Sequence, residues 1–249
     1  MPLIILAVWW GGLATLAFCA LVMLPSLVEI QRMFTRLGLS IPWGLMVAGA
    51  VLLLGSVYLY KDTGLAGAIA IIFFLFLLWF VFLYPRFNLI DMAVALLATF
   101  YVGLFVYVYL LRMLPDGWVW VIFMLAGTWA SDTLAFFVGK YFGRHSLAPG
   151  LSPGKTVEGA VGGVGGSVLV AAVFLFLYPF LPRALLLGLG LLLGVAAQAG
   201  DLVESAFKRQ VGVKDAGGLI PGHGGMLDRF DSMLFTAPLV YYYVQKLII

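Results

Sequence analysis

From Thr63 to Pro85 the chain runs through 23 residues without one charged side chain, and from Gly159 to Pro182 through another 24. A helix needs about 20 apolar residues to cross roughly 30 Å of hydrocarbon. Runs of this length therefore point to membrane helices. Composition agrees: 64% of the 249 residues are apolar and only 10% are charged, against about 45–50% and about 25% in an ordinary soluble domain. Mean hydropathy is +1.12. These values exclude soluble, disordered and collagen-like chains. The single cysteine, Cys19, excludes an intrachain disulfide framework and a Cys-rich zinc site. The runs are also too long for the alternating strands of an outer-membrane barrel.

The expected fold is an all-α polytopic membrane protein with eight spans, at 3–24, 41–60, 65–84, 92–111, 118–139, 160–180, 184–200 and 232–249. Gly11 and Gly12 divide the first span and Pro25 follows it. It lacks the basic start and small-residue cleavage site of a signal peptide and is expected to be retained. N-terminal helices over 1–115 and a catalytic membrane region over 116–249 describe the organisation, as one continuous membrane domain. Arg32, Arg36, Arg86, Lys140, Arg144, Lys155, Lys208, Arg209, Lys214 and Arg229 fall in segments after odd-numbered spans. The opposite side holds only Lys61, Arg112, Arg183 and Lys246. This asymmetry places the odd loops in the cytoplasm of a multi-pass cell-membrane protein. The basic residues are accounted for by that face, and no nucleic-acid partner is expected.

Polar residues gather in two cytoplasmic stretches, Lys140 to Glu158 and Gln198 to Ser232. Gly150-Leu-Ser-Pro-Gly-Lys-Thr156 is not a P-loop, because three residues rather than four separate its glycines and no strand is expected before it. Ser152-Pro153 reads as a helix start, with Pro at the first helical position. Lys155 and free backbone N–H groups would then face one point, where either a phosphate or a snorkelling lysine fits. The glycines at 159, 162, 163, 165 and 166 read as a close helix-packing face. Asp132 lies within the fifth span, where a carboxylate costs about 2.5–3.5 kcal/mol and needs a functional or structural partner.

The second stretch carries more chemistry. On a helix continuing the seventh span, Asp201, Ser205 and Lys208 share one face. Asp228 and Asp231 share a face at the start of the eighth. Between them lies a glycine-rich loop with His223. Carboxylates opposite a basic loop suit Mg²⁺ and phosphates. Glu204 is set apart as an i,i+4 salt-bridge partner of Lys208.

The run Ser205-x-Phe207-Lys208-Arg209, then Lys214-Asp215-x-Gly217-x-x-Ile220-Pro221-x-His223-Gly224-Gly225-Met226-x-Asp228-Arg229-Phe230-Asp231, resembles the signature of the phosphatidate cytidylyltransferases. No departure occurs over these 27 residues. Asp132-Thr133 and Ser152-Pro-x-Lys155-Thr156-x-Glu158-Gly159 resemble the same family's second region. Gly154 stands where that family commonly carries Lys. The resemblance covers residues 126–235, and family members often carry a ninth helix near the N-terminus.

The resemblance implies a nucleotidyltransferase of phospholipid biosynthesis. Phosphatidate and CTP give CDP-diacylglycerol and pyrophosphate, with Mg²⁺, alone or with a second cation, and a homodimer. Asp201, Asp228 and Asp132 are then the expected metal ligands, with Asp231 beside them. Lys155, Lys208, Arg209, Lys214, His223 and Asp231 carry the catalytic roles. Ser152, Thr156, Ser205, Asp215, Gly224, Gly225 and Arg229 bind substrate, while His145 is an ordinary loop residue. A CTP-dependent lipid-alcohol kinase would share these features but pass on the γ-phosphoryl group. A transporter would instead spread polar residues through the midplane of several spans.

Overall fold

The computed structural model describes residues 2–213, 217 and 225–249. Among the described residues, six segments are long and apolar enough to cross a membrane: Gly12–Thr35, Trp43–Leu83, Leu89–Arg112, Gly117–Phe142, Val157–Leu177 and Arg183–Gln210. The chain is an all-α polytopic membrane protein with one small β-hairpin. It forms two compact units, Met1–Leu110 with Gln210–Arg229, and Leu111–Arg209 with Phe230–Ile249.

In the first unit, the expected first span is two helices, α1 (Pro2–Trp10) and α2 (Gly12–Thr35). Gly11 at φ 69° and Gly12 at φ 47° break the helix in a region that only glycine enters at little cost. The Thr15 hydroxyl donates to the Ala7 carbonyl across the break, at 2.9 Å. Helix α2 then continues through Pro25 rather than ending before it, as membrane helices tolerate where neighbours re-satisfy the backbone. This correction places Glu29 inside a helix.

Helix α3 (Trp43–Tyr60), a 3-10 turn at Lys61–Gly64 and α4 (Leu65–Leu83) form a hairpin. Gly49 on α3 lies against Ile72 and Phe76 of α4. The outer side of α4 exposes Phe73, Phe74, Leu78, Val81 and Phe82, a surface suited to lipid. Helix α5 (Leu89–Gly103) opens on a capping box of Asn88 and Asp91, and Asp91 also accepts the Ser40 N–H at 2.9 Å. The short α6 (Val106–Arg112) follows.

The second unit is built on α7 (Gly117–Phe142), α8 (Val157–Leu177), α9 (Arg183–Gln210) and the greater part of α10 (Leu227–Tyr243). A π-helical turn, Val244–Ile248, ends the chain. Small residues set the spacing of these helices. A Cβ on Gly166 would come within 2.6 Å of the Ala130 carbonyl oxygen on α7. One on Gly194 of α9 would come within 2.7 Å of the Val164 Cα on α8. The Ser167 hydroxyl donates to the Gly127 carbonyl at 3.0 Å, and Tyr243 donates to the Leu185 carbonyl at 2.9 Å. Gly159, Gly162, Gly163 and Gly166 are thus a packing face, as their spacing suggests, while Gly165 faces open space.

Replacing Gly166 by Val should lower stability by about 1–3 kcal/mol, the range for overpacking against fixed backbone. Gly165→Ala, with nothing within 4 Å of the new methyl, should be tolerated. Thermal melting in detergent distinguishes the two.

The link between α7 and α8 corrects one local expectation. Ser152-Pro153 does not start a helix. Ser152–Thr156 forms strand β2, paired antiparallel with β1 (Ser146–Ala148). The helix begins four residues after Pro153, because Thr156 caps it by accepting the Gly159 N–H at 3.1 Å. Glu158 in its first turn accepts the backbone N–H groups of Arg144 and His145 at 3.0 and 3.2 Å. These bonds satisfy backbone groups across the start of the hairpin, which a helix beginning at Ser152 would leave open.

Candidate active site

Helix α9 approaches α10 at Gly200. A Cβ there would lie 2.8 Å from the Asp231 carbonyl oxygen and 3.0 Å from the Ser232 Cα. With no side chain between them, the two backbones bring Asp231 beside the next turn of α9. Carboxylate oxygens of Asp201, Glu204 and Asp231 all lie within 4.8 Å of one another. Among the described residues this is the group of acids that could share a cation. Hard carboxylate oxygens in such a group fit Mg²⁺, which takes one or two carboxylates and leaves positions for phosphate and water.

Two lysines compensate the acids. Lys155 Nζ lies 2.7 Å from Asp201 Oδ2. Lys208 pairs with Glu204 one turn along α9, as their spacing suggests, yet Glu204 is fully buried and also belongs to the acidic group. The Ser205 hydroxyl lies 3.4 Å from Asp201 Oδ1, so the expected face of Asp201, Ser205 and Lys208 is present. Holding carboxylates this close in a low-dielectric setting needs such counter-charges.

Beside Asp201 opens a cavity of about 320 Å³. Asp132, Phe136 and Lys140 of α7 form one wall. Leu147 and Gly154 to Thr156 of the hairpin form another, with Gln198 and Asp201 of α9 behind. Gln198 is fixed by donating to the Ala160 carbonyl at 2.8 Å. The Arg209 side chain donates from Nε to the Leu151 carbonyl at 2.9 Å, tying the end of α9 to the hairpin turn. The cavity therefore offers ammonium groups, carboxylates and an aromatic face within one enclosure, a combination suited to a phosphorylated ligand.

The structure brings Asp132, Lys155, Thr156 and Asp201 to this cavity, and joins Asp201 with Asp231. Ser152 stands on β2. Asp228 accepts the Gly225 N–H at 2.8 Å at the start of α10, and Arg229 is exposed on the next position. Lys214, Asp215, His223 and Gly224 lie outside the described residues. His145 has a partner, its Nδ1 lying 2.6 Å from Glu158 Oε1.

Two buried carboxylates are not singled out by the sequence, Asp91 in the cap of α5 and Glu29. Glu29 of α2, 1% exposed, accepts the Met226 and Leu227 N–H groups at 2.8 Å each. Its partners are about 197 positions away and are set by tertiary structure.

Comparison with known proteins agrees with this chemistry. The model of the cytidylyltransferase family matches residues 1–247, so the likeness extends through the N-terminal helices as well. Proteins named phosphatidate cytidylyltransferase from Staphylococcus saprophyticus and Staphylococcus epidermidis are each 40% identical over 239 residues. One from Staphylococcus aureus is 36% identical over 239 residues. Each alignment covers 92% of this chain and 89% of the relative. With the family model spanning residues 1–247 and relatives 36–40% identical over 92% of the chain, this protein belongs to the cytidylyltransferase family.

Proposed function

We propose that the chain transfers the cytidylyl group of CTP to phosphatidate, giving CDP-diacylglycerol and pyrophosphate. The observation that carries this reading is the acidic group of Asp201, Glu204 and Asp231 flanked by Lys155 and Lys208. A phosphatidate oxygen forms a bond to the α-phosphorus of CTP, and the bond from that phosphorus to the bridging oxygen of the β-phosphate breaks. The lipid phosphate is already anionic near neutral pH, so no strong general base is required. The barrier lies in bringing two anions together and releasing a third, which positioning and charge neutralisation lower.

Lys155, Lys208 and Arg209 neutralise phosphate charge, with Lys214 and His223 as further contacts from the signature loop. Ser152, Thr156, Ser205, Asp215, Gly224, Gly225 and Arg229 orient the substrates. Asp201 and Asp231, with Glu204 and the expected Asp132 and Asp228, are the candidates to hold Mg²⁺ or a pair of cations. A bound Mg²⁺ would supply Lewis-acid stabilisation of phosphoryl oxygens. Residues 116–249 hold the chemistry and 1–115 support it. With α3 and α4 as separate crossings and α10 as the last, eight spans result. A homodimer follows from the family resemblance and is open to cross-linking in detergent.

Purified protein in micelles, given phosphatidate, Mg²⁺ and CTP labelled in the cytidine, should place the label in lipid. Label entering the lipid only from the γ-phosphate would identify a kinase instead. Lys155→Ala should reduce turnover about ten- to a hundredfold, the value of a charge-assisted contact of about 1.5–3 kcal/mol, without a matching loss of folded protein. Unchanged kinetics would leave Lys155 as an ion-pair partner of Asp201 without a role toward phosphate.

The charge asymmetry further supports a hairpin in the cytoplasm, where CTP is found. Ser146 is exposed and the native Cys19 is fully buried, so Ser146→Cys gives one reactive thiol. It should resist impermeant reagents added to intact cells and react after permeabilisation. Labelling in intact cells would reverse the orientation.

A further inference from the structure

We infer that Glu29 is a positioning residue for the transfer reaction, a carboxylate from the second helix that fixes the start of α10 and the segment leading into it. This inference rests on the proposed cytidylyl transfer. Glu29 is 1% exposed and sits in an apolar helix, where a carboxylate is expensive unless it is engaged. Its two oxygens accept separate backbone donors, Met226 N–H to Oε1 and Leu227 N–H to Oε2, both at 2.8 Å. These donors belong to the first turn of α10 and the residue before it, which have no intrahelical acceptors. The positive end of the helix dipole adds to the attraction.

Two glycines of the signature are explained by the same carboxylate. A Cβ on Gly217 would lie 2.8 Å from Glu29 Cγ and 3.0 Å from Oε1. One on Gly225 would lie 2.7 Å from Oε2 and 3.0 Å from Asp228 Oδ2. Real Cβ atoms essentially never approach so closely at 2.7–2.8 Å, so both positions need glycine while Glu29 occupies its place. Gly225 also donates its N–H to Asp228 at 2.8 Å. Glu29 and Asp228 therefore hold three successive amides, those of residues 225, 226 and 227, from two sides. Among the described residues Glu29 meets these backbone amides, so it acts by fixing them and, through Gly225, by placing Asp228.

The full-length protein in micelles provides two independent readouts. Hydrogen exchange of the segment 225–229 reports the clamp itself. Glu29→Gln keeps one acceptor oxygen and should speed exchange of one of the two amides about tenfold or more, and Glu29→Ala should speed both. Steady-state kinetics reports positioning. Turnover per folded molecule should fall about tenfold in Glu29→Gln and about a hundredfold in Glu29→Ala. KM for CTP and phosphatidate should stay within about threefold of wild type.

A double-mutant cycle adds the geometric test. Gly225→Ala should lower turnover in the wild-type background and have a much smaller effect in the Glu29→Ala background, where the obstructing carboxylate is gone. Wild-type turnover in both Glu29 variants, unchanged exchange, or fully additive effects of Gly225→Ala would each overturn the inference. If the Glu29 variants do not fold, Gly225→Ala alone decides: faster exchange at 226–227 with reduced turnover supports the clamp, and unchanged values refute it. Should the wild-type protein transfer no cytidylyl group, the proposed function fails on its own, while exchange still judges the clamp.

Discussion

Replacing Asp201 by Asn should lower cytidylyl transfer by about a thousandfold or more, equivalent to about 4 kcal/mol of lost transition-state stabilisation. Asp201 is common to the acidic group and to the wall of the cavity. It also faces Lys155 at 2.7 Å. Asn preserves volume but removes the charge that would bind a cation and hold the lysine in place. The variant should insert and purify normally, because Asp201 is only partly buried and the helix contact at Gly200 is untouched. Turnover within tenfold of wild type would remove Asp201 from the metal assignment.

The second large effect is expected at Asp228. Its Oδ2 accepts the Gly225 N–H, and an Asn side-chain oxygen can accept the same bond. Asp228→Asn therefore isolates charge from local geometry. Turnover should fall at least about a hundredfold, about 2.7 kcal/mol, with little recovery at raised Mg²⁺. Asp228→Ala removes both the charge and the bond, and its additional loss measures the bond alone. If Asp228→Asn has wild-type turnover at low Mg²⁺, the carboxylate serves only to shape the start of α10.

Much of the architecture was legible because the membrane makes hydropathy decisive. Charge-free runs located α3, α4, α5, α8 and α9, since no other environment accepts them. Gly11 and Gly12 divide the first span as the sequence suggests, but its far end was misplaced because Pro25 is tolerated inside α2. Ser152-Pro153 carried a genuine helix-start pattern, but Thr156 and Glu158 offered the backbone a better set of hydrogen bonds. Within the site, the pairing of Glu204 with Lys208 followed from helical spacing. Its nearness to Asp231 did not, because that depends on the approach of two helices at Gly200. Glu29 was invisible for the same reason, its partners being set by tertiary structure alone.

The α3–α4 hairpin links the protein to the physical state of its surroundings. Its helices have 18 and 19 residues, about 27–29 Å at 1.5 Å per residue, and the reversal at Lys61–Asp62 carries charge immediately beyond them. If α3 and α4 each cross once, as proposed above, such a hairpin has almost no spare length to take up by tilting. In a bilayer thicker than about 30 Å, the lipid must thin locally or the Lys61–Asp62 turn must be drawn toward hydrocarbon, at a fraction of a kcal/mol per Å. The hairpin is therefore matched to an ordinary hydrocarbon core of about 30 Å, and thicker bilayers should weaken it. Because the fatty chains of the lipids made downstream set that thickness, the membrane's acyl composition acts back on the stability of a protein that helps to build it.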